Sequence, residues 1–226
     1  MLVLFDSETS KNENVKWDQN YKGNRKNYDT LEEENNPFYQ LPMIYKALDY
    51  LNIFHMEVAD NEADDYIASF IYQNKNKEYT FIILSTDSDL IQLVDNKTFL
   101  YVERGKRSVL YTLEEVVKKY NVTAKQFVEY KALVGDKSDN ITGVPKIGKC
   151  TAEKILMYGS IQDYKKKNPE TKLTYLLEQH VRTIDKNKKL ITLSKNIDIS
   201  QATICKLDDK ICKYKTYEII DNIGER

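Results

Sequence analysis

The sequence predicts an α/β fold with a mostly parallel central sheet flanked by helices, and three observations carry that expectation. Short apolar runs alternate with helical stretches along the chain. Several of these runs deliver an acid where they end, as in LVLF (2–5) before Asp6 and FIILST (81–86) before Asp87; in an open α/β sheet, ligands bind at that C-terminal edge. The 226 residues, 41% hydrophobic and 31% charged, are enough for a large buried core.

Leu2–Phe5 reads as a buried strand whose end places Asp6 as a strand-end cap or as a ligand. Residues 7–50 are polar, with Trp17, Tyr21, Tyr28, Phe38, Tyr39 and Tyr45 interleaved with Lys16, Lys22, Arg25 and Lys26. That mixture suits stacking on bases and neutralising phosphates, or an exposed helical region with ordinary surface charge. Pro37 and Pro42 bracket a break before a helix over about 41–51. Ile53–Val58 predicts a strand, and Asp60 or Asn61 caps a helix running to about Gln73. Its first turn holds Glu62, Asp64 and Asp65, more acid than the helix dipole needs.

FIILST is the clearest buried strand, and alternation along an extended continuation puts Asp87 and Asp89 on one side. Thr98–Glu103 and Ser108–Tyr111 predict a β-hairpin around residues 104–107. Thr112-x-x-Glu115 and Thr123-x-x-Gln126 are capping boxes that start helices over about 113–120 and 124–134, the second carrying Lys131. Lysine-rich helices follow over about 150–158, 160–167 and 171–193.

Composition excludes several chemistries. Two histidines, and three cysteines that form no CxxC pair, leave no basis for a zinc site, a disulfide framework or a Ser–His–Asp hydrolase. Hydrolytic chemistry must rest on carboxylates, lysines and hard metal ions. Met1–Phe5 runs straight into Asp6 without the pattern of a signal peptide, and no apolar run approaches a membrane span, so a cytoplasmic protein with no membrane partner is expected.

Four segments carry the acids: Asp6; Glu62, Asp64 and Asp65; Asp87 and Asp89; Asp136 and Asp139. Converging on one sheet edge, they make an all-oxygen cluster suited to octahedral Mg²⁺ or Mn²⁺. Two such ions about 4 Å apart can hydrolyse a phosphodiester. The net charge of −1 is then no obstacle to a nucleic-acid partner, because with the acids gathered around cations the remainder is positive and mostly lysine. Acids scattered over the surface would instead mark a metal-responsive or scaffolding domain.

The stretch LVGDKSDNITGVPKIGKCTAEKIL (133–156) joins two chemistries. Asp136 and Asp139, spaced i, i+3, lie on one helical face or around one turn. Gly143, Pro145 and Gly148 then break the chain, and Lys149-Cys150-Thr151 opens a helix whose N-terminal N–H groups face an anion such as a phosphodiester.

NEADDYIA (61–68), STDSDLIQLV (85–94) and the 133–156 stretch, in this order, resemble the 5′-nuclease family: the 5′→3′ exonuclease domain of bacterial DNA polymerase I and the bacteriophage flap endonucleases. YKGNR (21–25) resembles that family's motif at the base of its helical arch. The resemblance implies a PIN-like, resolvase-like nuclease core over 1–134, with an arch within about 7–50. It further implies a helix–hairpin–helix-type DNA-binding subdomain over 135–195 and a tail over 196–226. Asp6, Glu62, Asp64 and Asp65 match acids near a first metal site, and Asp87, Asp89, Asp136 and Asp139 those of a second. Lys22 and Arg25 match basic residues that contact the scissile phosphate, and Lys131 matches another lysine facing the site. Gly143, Val144, Lys146, Ile147, Gly148, Lys149 and Thr151 match the element that grips duplex backbone, with a bound K⁺.

The implied activity is Mg²⁺- or Mn²⁺-dependent cutting of DNA at a 5′ flap, nick or free 5′ end, with a non-catalytic DNA-junction binder as the alternative. This chain departs from the family pattern at Lys146, where glycine is common, and at Cys150, where lysine is common. Family members also begin with a further strand ending in Asp, and a helix, before the strand that is here 2–5. Three explanations offer themselves: the chain is truncated, with catalysis impaired; another chain or segment supplies that strand; or TYEIID (216–221) returns to fill it with Asp221 as the replacement ligand.

Overall fold

The structure, a computed structural model, describes residues 1–6, 18, 21–23, 36–58 and 61–200. Trp17, Arg25 and Asp221, and with them most of the expected arch and the expected returning strand, lie outside the described residues. The chain divides into two compact units, one built from 1–12, 25–66 and 198–226, the other from 13–24 and 67–197.

In the first unit, β1 (Leu2–Asp6) and β2 (Phe54–Val58) pair in parallel, with Leu2 opposite Phe54 and Asp6 opposite Val58. Between them in sequence lies α1 (Leu41–Tyr50), with Pro42 in its first turn, where a missing N–H breaks no helical bond. The Asn36 side chain accepts the Phe38 N–H at 3.0 Å and caps the 3-10 turn before it. Tyr45 of α1 packs edge-on to Phe5 and stacks on His55, with ring centroids 5.0 Å apart in both pairs. His55 is thus a packed imidazole, as its strand position suggests. The boundary between the units falls inside α2 (Ala63–Gln73), between Tyr66 and Ile67.

In the second unit, β3 (Phe81–Leu84) runs parallel to β4 (Thr98–Val102), which pairs antiparallel with β5 (Val109–Tyr111). The core gathers around Leu90, Leu100, Val116, Phe127, Leu133 and Ile155. Thr112 caps α3 (Leu113–Tyr120) by accepting the Glu115 N–H. The capping box of Thr123 and Gln126 is complete and leads through a 3-10 turn into α4 (Phe127–Val134). Gly135–Asp136 (β6) and Ile141–Thr142 (β7) form a small antiparallel ladder. Then come α5 (Lys149–Leu156), α6 (Ile161–Lys167), α7 (Lys172–Gln179) and α8 (Val181–Ile191).

The α/β class holds, with the described strands pairing as β1–β2, β3–β4–β5 and β6–β7. Three sequence expectations change. FIILST is not buried throughout: Ile83 faces the core, while Ile82 and Leu84 are 67% and 68% exposed, because alternation sends them to the opposite face. Asp87 and Asp89 do not share an extended segment. Asp87 caps a 3-10 turn over Ser88–Leu93 by accepting the Asp89 N–H at 2.8 Å, so the chain coils at once. The expected helix 171–193 is two helices, breaking at His180, which ends α7 and begins α8.

Candidate metal centre

Among the described residues, two groups of acids have oxygens within 4.8 Å of one another: Glu62, Asp64 and Asp65 in the first unit, and Asp89, Asp136 and Asp139 in the second. The first follows from helix geometry, since three acids at the N-terminus of α2 share one turn. Glu62 is buried, and Asp64 takes the Asp65 N–H at 2.8 Å. Asp6, at the end of β1, accepts the Ala63 N–H at 2.7 Å and so ties β1 to the start of α2. It stands beside this trio rather than within it.

The second group is brought together by tertiary contacts. Asp89 comes from the 3-10 turn after β3, while Asp136 and Asp139 come from the β6–β7 hairpin rather than a helical face. Asp89 and Asp139 are buried. Lys131, also buried on α4, sets its ammonium between Asp89 and Asp136 and pairs with both. The other Asp136 oxygen, Oδ1, accepts the Ser138 N–H at 2.8 Å and the Ser138 hydroxyl at 2.5 Å. The Lys22 N–H donates to the Asp139 carbonyl at 3.0 Å, which brings that predicted residue to the hairpin. Arg25 lies outside the described residues. Asp87 remains the cap of the Asp89 turn and is outside the close trio.

Burial, with Asp87 and Asp139 adding to it, pushes the Asp89 carboxyl up to about 6 against the pull of Lys131. For Asp136, burial acts upward too, but the bonds from Lys131 and Ser138 prevail and hold it below the usual carboxylate range. Burial also works against the Lys131 charge, yet Asp89 and Asp136 hold its pKa above the ordinary lysine value. The buried Lys131 thus joins Asp89 and Asp136 in one ion-paired group. Both groups offer only carboxylate oxygens, the donor set of a hard divalent cation, so the residues present fit such an ion.

Beyond the second group, the chain turns through the candidate phosphate hairpin. Val144 and Ile147 are buried anchors, with the Val144 N–H on the Leu133 carbonyl at 2.8 Å. Lys146 and Lys149 are exposed, Gly148 is the N-cap residue of α5, and Thr151 lies in its first turn. A Cβ on Gly148 would meet nothing within 4 Å, so the helix start is open to a partner's backbone.

Sequence reading missed three supports. Ser138 fixes which Asp136 oxygen points inward. Gln92 donates to the Asp89 and Ile191 carbonyls at 3.0 and 2.9 Å, tying the acid turn to α8. Asn187 of α8, 1% exposed, donates to the Ala132 and Thr142 carbonyls at 3.0 and 2.9 Å, bracing the end of α4 against β7. Asn187 had a signal, for it falls three residues after Ile184 and three before Leu190, on the apolar stripe of a lysine-rich helix.

The sequence and fold place this chain in a nuclease family, and its oxygen-only acid groups offer a donor set that fits a hard divalent cation. The chain belongs to the 5′-3′ exonuclease family: residues 1–121 match its N-terminal resolvase-like domain, and residues 122–212 its C-terminal SAM fold. It is 37% identical to DNA polymerase I of Caldicellulosiruptor bescii over 169 residues, 72% of this chain and 19% of that protein. It is also 37% identical to a 5′-3′ exonuclease of Buchnera aphidicola over 153 residues, 67% of this chain and 50% of that protein. The chain thus spans between about a fifth and a half of these relatives.

In fold it resembles the bacteriophage T5 5′-exonuclease solved with zinc ions, with a TM-score of 0.71 and 23% identity, covering 99% of this chain and 83% of that one. A T5 flap endonuclease solved with DNA and metal ions gives the same TM-score and identity, covering 100% of this chain and 84% of that one. No helix among the described residues is long and apolar enough to cross a membrane.

Proposed function

We propose that this chain is a Mg²⁺- or Mn²⁺-dependent 5′→3′ exonuclease and 5′-flap endonuclease, hydrolysing DNA phosphodiesters at single-strand/duplex junctions by a two-metal mechanism. The observation that carries this reading is the pair of three-carboxylate groups, each with oxygens within 4.8 Å. Glu62, Asp64 and Asp65 would hold one ion, and Asp89, Asp136 and Asp139 another, with Asp6 and Asp87 as flanking acids through their bonds to Ala63 and Asp89. When bound, the ions supply Lewis acidity to a phosphodiester oxygen and acidify water.

The protein's own residues do the rest. Lys22, Arg25 and Lys131 balance charge gathering on the phosphate. Gly143, Val144, Lys146, Ile147, Gly148, Lys149 and Thr151 form the turn and helix start that grip the duplex backbone, through N–H groups and lysine charge, with K⁺ as the expected ion of that element. What supports this division of labour is that the hairpin carrying Asp136 and Asp139 runs straight into the turn at 143–148, which would keep grip and cut a short, fixed length of chain apart.

Incubating a labelled 5′-flap substrate with the protein in Mg²⁺ and in EDTA tests the reading, with Asp139→Asn alongside. Cutting that needs Mg²⁺ and falls at least about a hundredfold in the variant is expected. Tight flap binding without metal-dependent cutting would leave a junction binder, and no affinity for DNA would overturn both.

A further inference from the structure

Lys131 occupies an unusual position for a basic residue beside a candidate metal site. Its ammonium does not point past the acids toward solvent; it is buried and paired with Asp89 and Asp136 at once. A buried ammonium is stable only with such counter-charge, and buried acids are stable only with a cation. Each therefore satisfies the other.

The Asp136 carboxylate makes this arrangement exclusive. Its Oδ1 is committed to the Ser138 N–H and hydroxyl, so Oδ2, which faces Lys131, is the oxygen left to turn inward. Asp89 likewise gives Oδ1 to the same ammonium. Two of the oxygens that a divalent ion could draw on, Asp89 Oδ1 and Asp136 Oδ2, are thus held by Lys131.

We propose that Lys131 is the resident counter-cation of the Asp89–Asp136–Asp139 group, and that a divalent ion enters this group by displacing its ammonium. The displaced amine swings on a flexible four-carbon stem and becomes available to a phosphate. Lysine would thus serve two acceptors in turn, the acids before metal entry and the phosphodiester after it. This inference rests on the metal-nuclease reading of the site.

Two measurements test it. In the first, Mn²⁺ binding is followed by calorimetry for the wild type, Lys131→Met and Lys131→Arg. Removing the competing charge should tighten one Mn²⁺ phase by roughly tenfold or more, while arginine, which keeps the charge, should not. Adding Asp139→Asn to Lys131→Met should abolish the tightened phase. Equal or weaker binding in Lys131→Met would overturn the proposal.

The second measurement uses the wild type, so it decides the matter even where Lys131→Met fails to fold. Acetylation of Lys131 by an amine-reactive ester is read by mass spectrometry in EDTA and in saturating Mn²⁺. The expected result is slow labelling in EDTA and several-fold faster labelling with metal. Wild-type protein that cuts a flap with Mn²⁺ while Lys131 stays equally protected would overturn the exchange and leave the nuclease reading standing. Absence of Mn²⁺ uptake at either acid group would overturn both.

Discussion

The backbones of Gly135 and Gly143 touch: a Cβ on Gly135 would lie 2.5 Å from the Gly143 nitrogen, and a Cβ on Gly143 would lie 2.4 Å from the Val134 carbonyl carbon. This close approach shuts the β6–β7 hairpin that presents Asp136 and Asp139. Gly135 also has φ +81°, where a side chain is strained in any case.

Gly143→Ala should therefore force the hairpin open and cost about 1–3 kcal/mol, as overpacking does. Gly135→Ala should cost more, because backbone strain is added to the clash. Gly148→Ala, with open space around it, should cost at most about 1 kcal/mol as an altered N-cap. Urea unfolding of the three variants checks the order, and Mn²⁺ binding should weaken only in the first two.

Lys146 holds φ 65°, a left-handed conformation that costs a non-glycine residue energy. Lys146→Gly should stabilise the fold by up to about 1 kcal/mol, the strain relieved being partly offset by added freedom in the unfolded chain. If Lys146 contacts a phosphate as proposed, the same change should lower the slope of log K against log salt by about one unit. Denaturation and a salt titration of duplex binding measure the two effects separately.

Asn187→Ala should leave the Ala132 and Thr142 carbonyls without their buried donor. The expected loss is about 2–4 kcal/mol. Because these carbonyls belong to α4 and β7, Mn²⁺ affinity at the second acid group should fall along with the melting temperature. A change in stability with unaltered Mn²⁺ affinity would show that the brace does not reach the acids.

Asp95 gives a pH dependence independent of the acid groups. Burial alone would raise its pKa, but bonds from the Lys97 N–H, Lys75 and Thr98 prevail and hold it below the usual carboxylate range. A lowered folded pKa means stability that is present above the unfolded pKa of about 4 and is lost as pH falls through the folded value. The residue is partly exposed, so Asp95→Asn should cost less than about 1 kcal/mol at pH 7. The gap to wild type should close below about pH 4 in thermal melts at stepped pH.

Local features were legible where a short stretch of chain fixes them. The capping box of Thr123 and Gln126 needs only its own four residues, and the hairpin of β4 and β5 needs only its turn. Glu62, Asp64 and Asp65 could be grouped because α2 brings them onto one turn. The coiling of the chain at Asp87 escaped, because an aspartate after a strand can either continue it or cap a turn, and side-chain bonding to the Asp89 N–H decided. Asn187 escaped because its amide is worth burying only where two carbonyls from α4 and β7 happen to meet it.

The sequence by itself determined the donor chemistry: carboxylates in four segments, with too few histidines or cysteines for a soft-metal site, and an acid hairpin leading into a glycine-broken turn. Only tertiary structure decided that Asp89, Asp136 and Asp139 meet, with a buried Lys131 paired to the first two, while Asp6 and Asp87 each accept a backbone N–H. The reason is physical. Residue type and spacing set what a side chain can bind, but which partner it finds depends on packing that brings together oxygens distant in the chain and removes the water that would otherwise satisfy each alone.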